Sequence, residues 1–386
     1  MKKKIAILGS TGSIGKTLFN ILKKDKKGFE IILLTANKNY KELIKQAKIF
    51  NVKNLVIANK DSFNEFKKKN RNKEINIYND FSSINKIFKK KIDYTMSAIS
   101  GLEGLSPTLK IIKHTRVIAI ANKESIICGW NLIEEKLKKN KTSFIPVDSE
   151  HFSIWYALRN NKDHLEEIYL TASGGPFFKL PLSKFKKIKR YEALNHPTWR
   201  MGKKISIDSA TMMNKVFEII EAKKIFNLSY NKLKILIHPN SYVHAMIKFN
   251  NGMIKIIVHQ TSMEIPIFNT LYQKNEKKFN TKKIDMKKLN CLDFAKVDFK
   301  RFPVVKIINF LPNKNSLFET VLVSANDSLV NLFLKKKIEY NDISKKLFEI
   351  VTSKEFARYK YIIPNKIKDI NNLDKYVRFK INSLDI

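Results

Sequence analysis

Over the first third of the chain, short apolar blocks alternate with stretches of helical periodicity. Residues 3–8 (KKIAIL) predict a buried strand, and a helix follows from about Ile14 to Lys24. A second strand is predicted at Glu30–Thr35 and a helix at 40–50. Apolar runs recur at Leu55–Ala58, Tyr94–Ala98 and Val117–Ala121, with helical patterns between them. Strands alternating with helices build βαβ units around a parallel sheet. This regime runs to about Pro146.

The texture then changes. Residues 165–178 (LEEIYLTASGGPFF) predict a strand entering a Gly-Gly-Pro turn. Residues 179–204 are rich in Lys and Pro and have no clear period, which suggests a functional loop. Residues 209–226 read as one helix. Two strands, Tyr242–Phe249 and Met253–His259, flank Asn251-Gly252, a strong hairpin signal. A mixed α+β region is the natural reading. Beyond a polar stretch at 274–288, residues 303–360 read as helical, including 324–338. No internal repeat is evident.

With 386 residues, 44% hydrophobic and 11% aromatic, the chain has enough apolar material for two or three cores and is not disordered. The formal net charge of +39 invites a nucleic-acid or membrane reading. The lysines are nevertheless spread along the whole chain, beside inflated Asn and Ile that no charge argument requires. Compositional drift with some steering of anionic ligands accounts for this better. Cys128 and Cys291 make no disulfide framework and fit a reducing compartment. No apolar run reaches the roughly 18 residues of a membrane helix. After Met1-Lys2-Lys3-Lys4 the apolar stretch is too short for a signal sequence. A cytoplasmic protein is expected.

Five segments carry candidate chemistry. Gly9-Ser10-Thr11-Gly12-Ser13-Ile14-Gly15 lies between a strand and a helix. The free N–H groups of such a helix start hold a pyrophosphate. The spacing is G-x-x-G-x-x-G rather than G-x-G-x-x-G, so an ordinary tight turn remains open. After the second strand stands Ala36-Asn37-Lys38-Asn39, with a Lys where an NAD site has an acid; this favours NADP. Asn122-Lys123-Glu124-Ser125 follows a strand, where α/β proteins bind ligands, or else simply caps a helix. In Val147-Asp148-Ser149-Glu150-His151, an extended backbone would point Asp148 and Glu150 the same way. Without an obvious cation, that pair asks for a metal, a shared proton or solvent. Asn214, Glu218 and Glu221 form a polar stripe opposite Met213, Val216, Phe217 and Ile220, with Ser209 or Thr211 available as a cap. The stripe is either a wet face or a third carboxylate for Asp148 and Glu150; all-oxygen ligation suits Mg2+ or Mn2+. Finally, Ser173-Gly174-Gly175-Pro176 and His196-Pro197-Thr198-Trp199-Arg200-Met201-Gly202 flank the long loop. A Trp there is either a lid residue or plain packing.

Taken together, GSTGSIG, ANKES (121–125), VDSEH (147–151), SGGPF (173–177), HPTWRMG (196–202) and DSATMMNKVFE (208–218) occur in one order. The chain resembles the 1-deoxy-D-xylulose 5-phosphate reductoisomerases, from Met1 to roughly residue 350. The resemblance implies a Rossmann-like NADPH-binding domain (1–146), an α+β catalytic domain with a lid loop and dimerisation sheet (147–274), a linker (275–298) and a C-terminal α-helical bundle (299–386). It implies NADPH contacts at Thr11, Gly12, Ser13, Ile14, Lys38, Asn39, Asn122, Glu124 and Gly202. Metal ligands would be Asp148, Glu150 and Glu218, holding Mg2+ or Mn2+. Substrate contacts would be Lys123, Ser149, Glu150, Ser173, His196, Ser209, Asn214, Lys215 and Glu218. The phosphate would be held by Ser173, Ser209, Asn214 and Lys215, under a lid carrying Trp199 and Met201.

The implied reaction rearranges a metal-bound ketose phosphate, through retro-aldol cleavage and aldol recombination, and then reduces the resulting aldehyde with NADPH. A homodimer is implied, with the 242–259 hairpin as a contact; no nucleic acid or membrane is. Two departures stand out: Asn37 replaces a frequent Gly, and Glu264 replaces an Arg in the segment after the hairpin. On residues alone, another NADP-dependent dehydrogenase and a nucleic-acid binder remain rival readings.

Overall fold

In the computed structural model, residues 2–70, 74–159, 163–273, 277–281 and 283–383 are described. The chain divides into two compact units. The first comprises Met1–Ser125, Leu132–Phe152 and Ser262–Thr281; the second comprises Ile126–Asn131, Ser153–Thr261 and Lys282–Ile386. The boundary expected at 274/275 falls outside the described residues.

The first unit is a seven-stranded parallel sheet. Its strands are β1 (Lys3–Leu8), β2 (Phe29–Ala36), β3 (Asn54–Ile57), β4 (Asn76–Tyr78), β5 (Ile92–Ser97), β6 (Thr115–Ile120) and β7 (Ser143–Pro146). Their order is β4-β3-β2-β1-β5-β6-β7. The strand order reverses between β1 and β5, and the crevice beyond their carboxyl ends is where such sheets bind ligands. The apolar strand runs are buried on both faces, as parallel sheets require: Ile5, Ile7, Leu34, Leu55, Tyr94 and Met96 sit in one core with Leu18 and Leu22 of the helix Ser13–Lys24. Helix Glu264–Leu271 returns to this core late in the chain. It is moored by Lys3 Nζ donating to the Leu271 carbonyl (2.6 Å) and by a Tyr94–Thr270 hydroxyl pair at 2.8 Å. The charge reversal at Glu264 has a local reason: the residue opens this helix, where the macrodipole favours an acid.

The second unit holds a mixed sheet, β8 (Leu165–Ala172), β9 (Leu233–Ile237), β10 (Val243–Phe249) and β11 (Ile254–Val258), in the order β11-β10-β8-β9. Ile154 and Ala157, with Ile219 and Ala222 of helix Met213–Phe226, pack on Ile168, Leu170, Ala245 and Ile247 of this sheet. The expected β10–β11 hairpin forms, with Gly252 alone in the left-handed region at φ 85° and a bond from Gly252 N to Phe249 O. That is a three-residue loop ending in a bulge rather than a two-residue turn. The helical region expected at 303–360 is present: 3-10 turns at Pro303–Phe310, then helices Phe318–Leu334 and Tyr340–Thr352, followed by helix Ile367–Asn382. Phe318–Leu334 is buried almost all round.

The 209–226 segment differs from the sequence reading. Residues 209–226 are not one helix: Lys203–Ala210 and Met213–Phe226 are separated at Thr211-Met212, with Met212 at φ 68°. Thr211 Oγ1 takes part in the break, accepting from Met213 N (3.3 Å) while donating to Ile207 O (3.1 Å). A left-handed methionine is costly and persists only where its surroundings enforce it.

Candidate active site

In the first unit, the β1 turn is tight for two separate reasons. Gly9 has φ 82°, and a Cβ there would lie 2.7 Å from the Ala98 carbonyl oxygen. A Cβ on Gly15 would meet Gly9 O at 2.3 Å, so only glycine lets the helix sit against the turn. Gly12 and Ser13 are exposed, and Gly12 is the N-cap of helix Ser13–Lys24. The first amides of that helix have no partner inside it. This is an anion cradle in the crevice position. Lys38 is exposed just beyond the end of β2. Asn39 caps the helix Tyr40–Phe50, accepting from Glu42 N at 3.2 Å.

Asn122 is a helix cap. Its Oδ1 accepts from Ser125 N (2.6 Å), and its Nδ2 donates to the carbonyls of Ile99 and Gly101. Its side-chain donors and acceptor are thus spent on holding the turn and the helix start. Lys123 and Glu124 open the same helix, Lys123–Lys139, and both are buried.

The Asp148–Glu150 segment is not extended. Helix Ser149–Leu158 begins at Ser149, and Phe152 N donates to Asp148 O at 2.7 Å. Asp148 is therefore a capping residue and Glu150 lies in the first helical turn. Carboxylate oxygens of the two still lie within 4.8 Å of one another. The cation that spacing did not reveal is Lys123, whose Nζ is 2.9 Å from Asp148. Ser149 Oγ donates to Glu150. Two carboxylates and one ammonium, all largely desolvated, leave negative charge over, and their oxygen donors fit a hard divalent cation.

In the second unit, Ser173-Gly174-Gly175 leaves β8 through two left-handed glycines, φ 80° and 63°. A Cβ on Gly175 would sit 3.0 Å from Ser209 O, so this turn lies directly on the end of helix Lys203–Ala210. Ser173 and Ser209, 36 positions apart in sequence, thereby flank one spot. His196 Nε2 is 3.0 Å from Ser173 Oγ. Its Nδ1 accepts from Thr198 N (3.2 Å) and Trp199 N (2.9 Å), so the ring proton must reside on Nε2 and be donated to Ser173. Gly175 N also donates to Ser173 Oγ (3.0 Å). With both lone pairs engaged, the Ser173 hydroxyl proton can only point outward to an acceptor. Burial lowers the His196 pKa to about 4, so the imidazole is neutral at physiological pH.

The 213–226 helix carries its polar side chains into the interior and is buried on almost every side. Glu218 and Glu221 are each 1% exposed, so the stripe is not a wet face. Lys215 pairs with Glu218, and its Nζ also reaches the Thr171 carbonyl at the end of β8. Asn214 donates to the other Glu218 oxygen. Trp199 is half-buried, its ring edge-on to His244 with centroids 6.1 Å apart. His244 stacks on His259 at 3.6 Å, and burial, with His259 beside it, holds its pKa well below the usual value. The sequence reading missed this histidine pair. No spacing along the chain announces it, because His244 lies at the register shift of β10 between Val243 and Ala245, while the backbone of His259, just past β11, pairs with Tyr242.

Family models match three stretches: "1-deoxy-D-xylulose 5-phosphate reductoisomerase" over residues 5–129, "1-deoxy-D-xylulose 5-phosphate reductoisomerase C-terminal domain" over 144–226, and "DXP reductoisomerase C-terminal domain" over 259–380. A curated 1-deoxy-D-xylulose 5-phosphate reductoisomerase of Pelagibacter ubique is 60% identical over 387 residues, covering 100% of both chains. One from Wolbachia pipientis wMel is 39% identical, covering 96% of this chain and 95% of its own. Among solved structures, the reductoisomerase from Zymomonas mobilis in complex with NADPH has 31% identity and a TM-score of 0.87, covering 100% of this chain and 99% of its own. A reductoisomerase in complex with NADPH, fosmidomycin and magnesium has 29% identity and a TM-score of 0.91, covering 99% and 98%.

Proposed function

The chain belongs to the 1-deoxy-D-xylulose 5-phosphate reductoisomerase family, and from that premise we propose which of its residues carry each step of the reaction. It is an NADPH-dependent oxidoreductase that isomerises and reduces 1-deoxy-D-xylulose 5-phosphate to 2-C-methyl-D-erythritol 4-phosphate, in isoprenoid precursor biosynthesis. NADPH and Mg2+ or Mn2+ are its cofactors. The observation that carries this is identity of 60% to a curated member over the whole of both chains.

Thr11, Gly12, Ser13 and Ile14 hold the cofactor pyrophosphate on helix amides, and Lys38 and Asn39 meet the ribose phosphate. Asn122, through its main chain, Glu124 and Gly202 complete the cofactor contacts. Asp148, Glu150 and Glu218 supply oxygen ligands to the metal. When bound, the metal polarises the substrate carbonyl and offsets charge developing on oxygen. Lys123 counterbalances Asp148 and donates to substrate oxygen, while Ser149, its proton given to Glu150, accepts from a substrate hydroxyl. Ser173 donates its outward hydroxyl proton to the phosphate, oriented by neutral His196, while Ser209, Asn214 and Lys215 complete the cradle. Trp199 and Met201 close over the site and exclude water. In this reading 1–146 binds cofactor, 147–274 is catalytic, 275–298 links, and 299–386 is a supporting helical domain.

We further assign a homodimer, joined along the β11 edge. Met253, Ile254 and Ile256 are exposed there, an open edge that a second copy would cover. We place the enzyme in the cytoplasm; Cys128, buried, and Cys291, exposed, are not joined in a disulfide, which supports this. Among the described residues no helix is long and apolar enough to cross a membrane. The diffuse positive charge is given no nucleic-acid role.

Incubation with 1-deoxy-D-xylulose 5-phosphate, Mg2+ and NADPH tests the reading, with NADPH absorbance followed and the product identified. NADPH oxidation yielding the branched product supports it. No turnover on this substrate, or reduction without rearrangement, would refute it.

A further inference from the structure

A continuous polar network inside the second unit is used by none of these assignments. It starts on helix Lys203–Ala210, where Lys204 and Asp208 are one turn apart with Lys204 Nζ 3.2 Å from the Asp208 carboxylate. The same ammonium lies 2.9 Å from Asp327 of helix Phe318–Leu334. Asn326 Nδ2 donates to Asp208 Oδ1 at 2.7 Å. From Asp327 the network continues to Arg378 of helix Ile367–Asn382 (2.9 Å), then to Asp374 (2.7 Å) and Ser324 (2.6 Å). Asp208, Asn326 and Asp327 are buried. Burial pushes the Asp208 carboxyl pKa up, against the pull of Lys204 and Asn326.

Buried ion pairs are a poor means of gaining stability, since apolar replacements of equal volume are often no worse. What they do enforce is register. Lys204 is the cation that reaches the buried Asp208, whereas Asp327 also has Arg378, so rotating or sliding the 203–210 helix would strand the Asp208 charge. That helix begins immediately after Gly202, where the 196–202 loop ends. Ser209 follows Asp208 directly, with its carbonyl against the Gly175 turn.

We infer that Lys204, Asp208 and Asp327 are positioning residues that brace the substrate-phosphate cradle against the C-terminal helices, by fixing the register of the helix that carries Ser209. The inference rests on the assignment of Ser209 to the phosphate. It gives the C-terminal helices a share in substrate affinity without any contact to substrate.

The test is a Lys204→Met/Asp208→Asn double variant, which removes an ammonium and a carboxylate together and leaves Asp327 paired with Arg378. Its melting temperature should stay close to wild type, while KM for the ketose phosphate rises about 10-fold, the scale of a sub-ångström to ångström misplacement. KM for NADPH should be unchanged. Arg378→Ala should move the ketose KM in the same direction, and Arg378→Lys should restore it; this pair carries the test if the double variant does not fold. Wild-type ketose KM in folded variants, or equal rises in both KM values, would overturn the inference. Ser209→Ala separates the two layers. If it raises ketose KM while the network variants do not, only the bracing inference fails. If it leaves KM unchanged, the phosphate assignment fails first.

Discussion

Replacing Glu218 by Gln removes one negative charge from a side chain that is 1% exposed and already paired to buried Lys215. Two effects follow, and they are separable. The first is on stability. Lys215 keeps the Thr171 carbonyl and an amide oxygen as acceptors but loses its counter-charge. Breaking a buried pair costs about 3–5 kcal/mol, and the surviving hydrogen bonds put this case near about 3. At about 2–4 °C per kcal/mol for units of 150–250 residues, the melting temperature should fall by roughly 6–12 °C. The second effect is on catalysis. Loss of a carboxylate assigned to the metal should lower kcat by at least about 10²-fold, the scale of losing a key electrostatic stabiliser. Lys215→Met/Glu218→Gln tells them apart, because burying neither charge should recover most of the stability and none of the activity. The assays are differential scanning fluorimetry and NADPH oxidation at saturating Mg2+. Turnover of Glu218→Gln near wild type would refute the metal assignment. A double variant no more stable than the single one would refute the view that an unbalanced Lys215 causes the instability.

Three other outcomes are expected. Lys38→Asp should narrow the preference for NADPH over NADH by weakening NADPH binding; equal kcat/KM for both cofactors in the wild type would contradict the role of Lys38. Trp199→Ala should harm turnover more than melting temperature, because the half-buried ring serves the closed complex; a collapsed melting temperature with normal specific activity would make it a packing residue. His196 is neutral in the folded state down to about pH 4, whereas an unfolded histidine takes up its proton near 6.5. Its contribution is therefore complete above about pH 6.5 and lost as pH falls toward 4. His196→Asn should flatten that part of the stability profile relative to wild type, and superimposable profiles would sink the buried-neutral assignment.

What the sequence determined by itself is whatever depends on near neighbours along the chain. Buried apolar runs located five of the seven parallel strands, because such a strand needs only its own side chains to declare that both faces are covered; the short β4 and β7 offered too few apolar positions to read. The glycine turn before Ser13 was legible because a strand, a turn and a helix N-terminus are contiguous. The Asn251-Gly252 hairpin was legible for the same reason. The metal-ligand residue types could be read too, since carboxylates suit hard cations wherever they lie. Tertiary structure decided the rest. The break at Met212 is invisible to periodicity, because a left-handed methionine is favoured by no local propensity and is held by its surroundings. Asp148 and Glu150 looked uncompensated until folding brought in Lys123 from another strand end. The 214–221 stripe read equally as a wet face or as a carboxylate donor, and only packing against a sheet and further helices made it an interior holding the Lys215–Glu218 pair. The Lys204–Asp208–Asp327 network spans residues more than 110 positions apart, and a buried charge announces its partner only once the chain has folded around it.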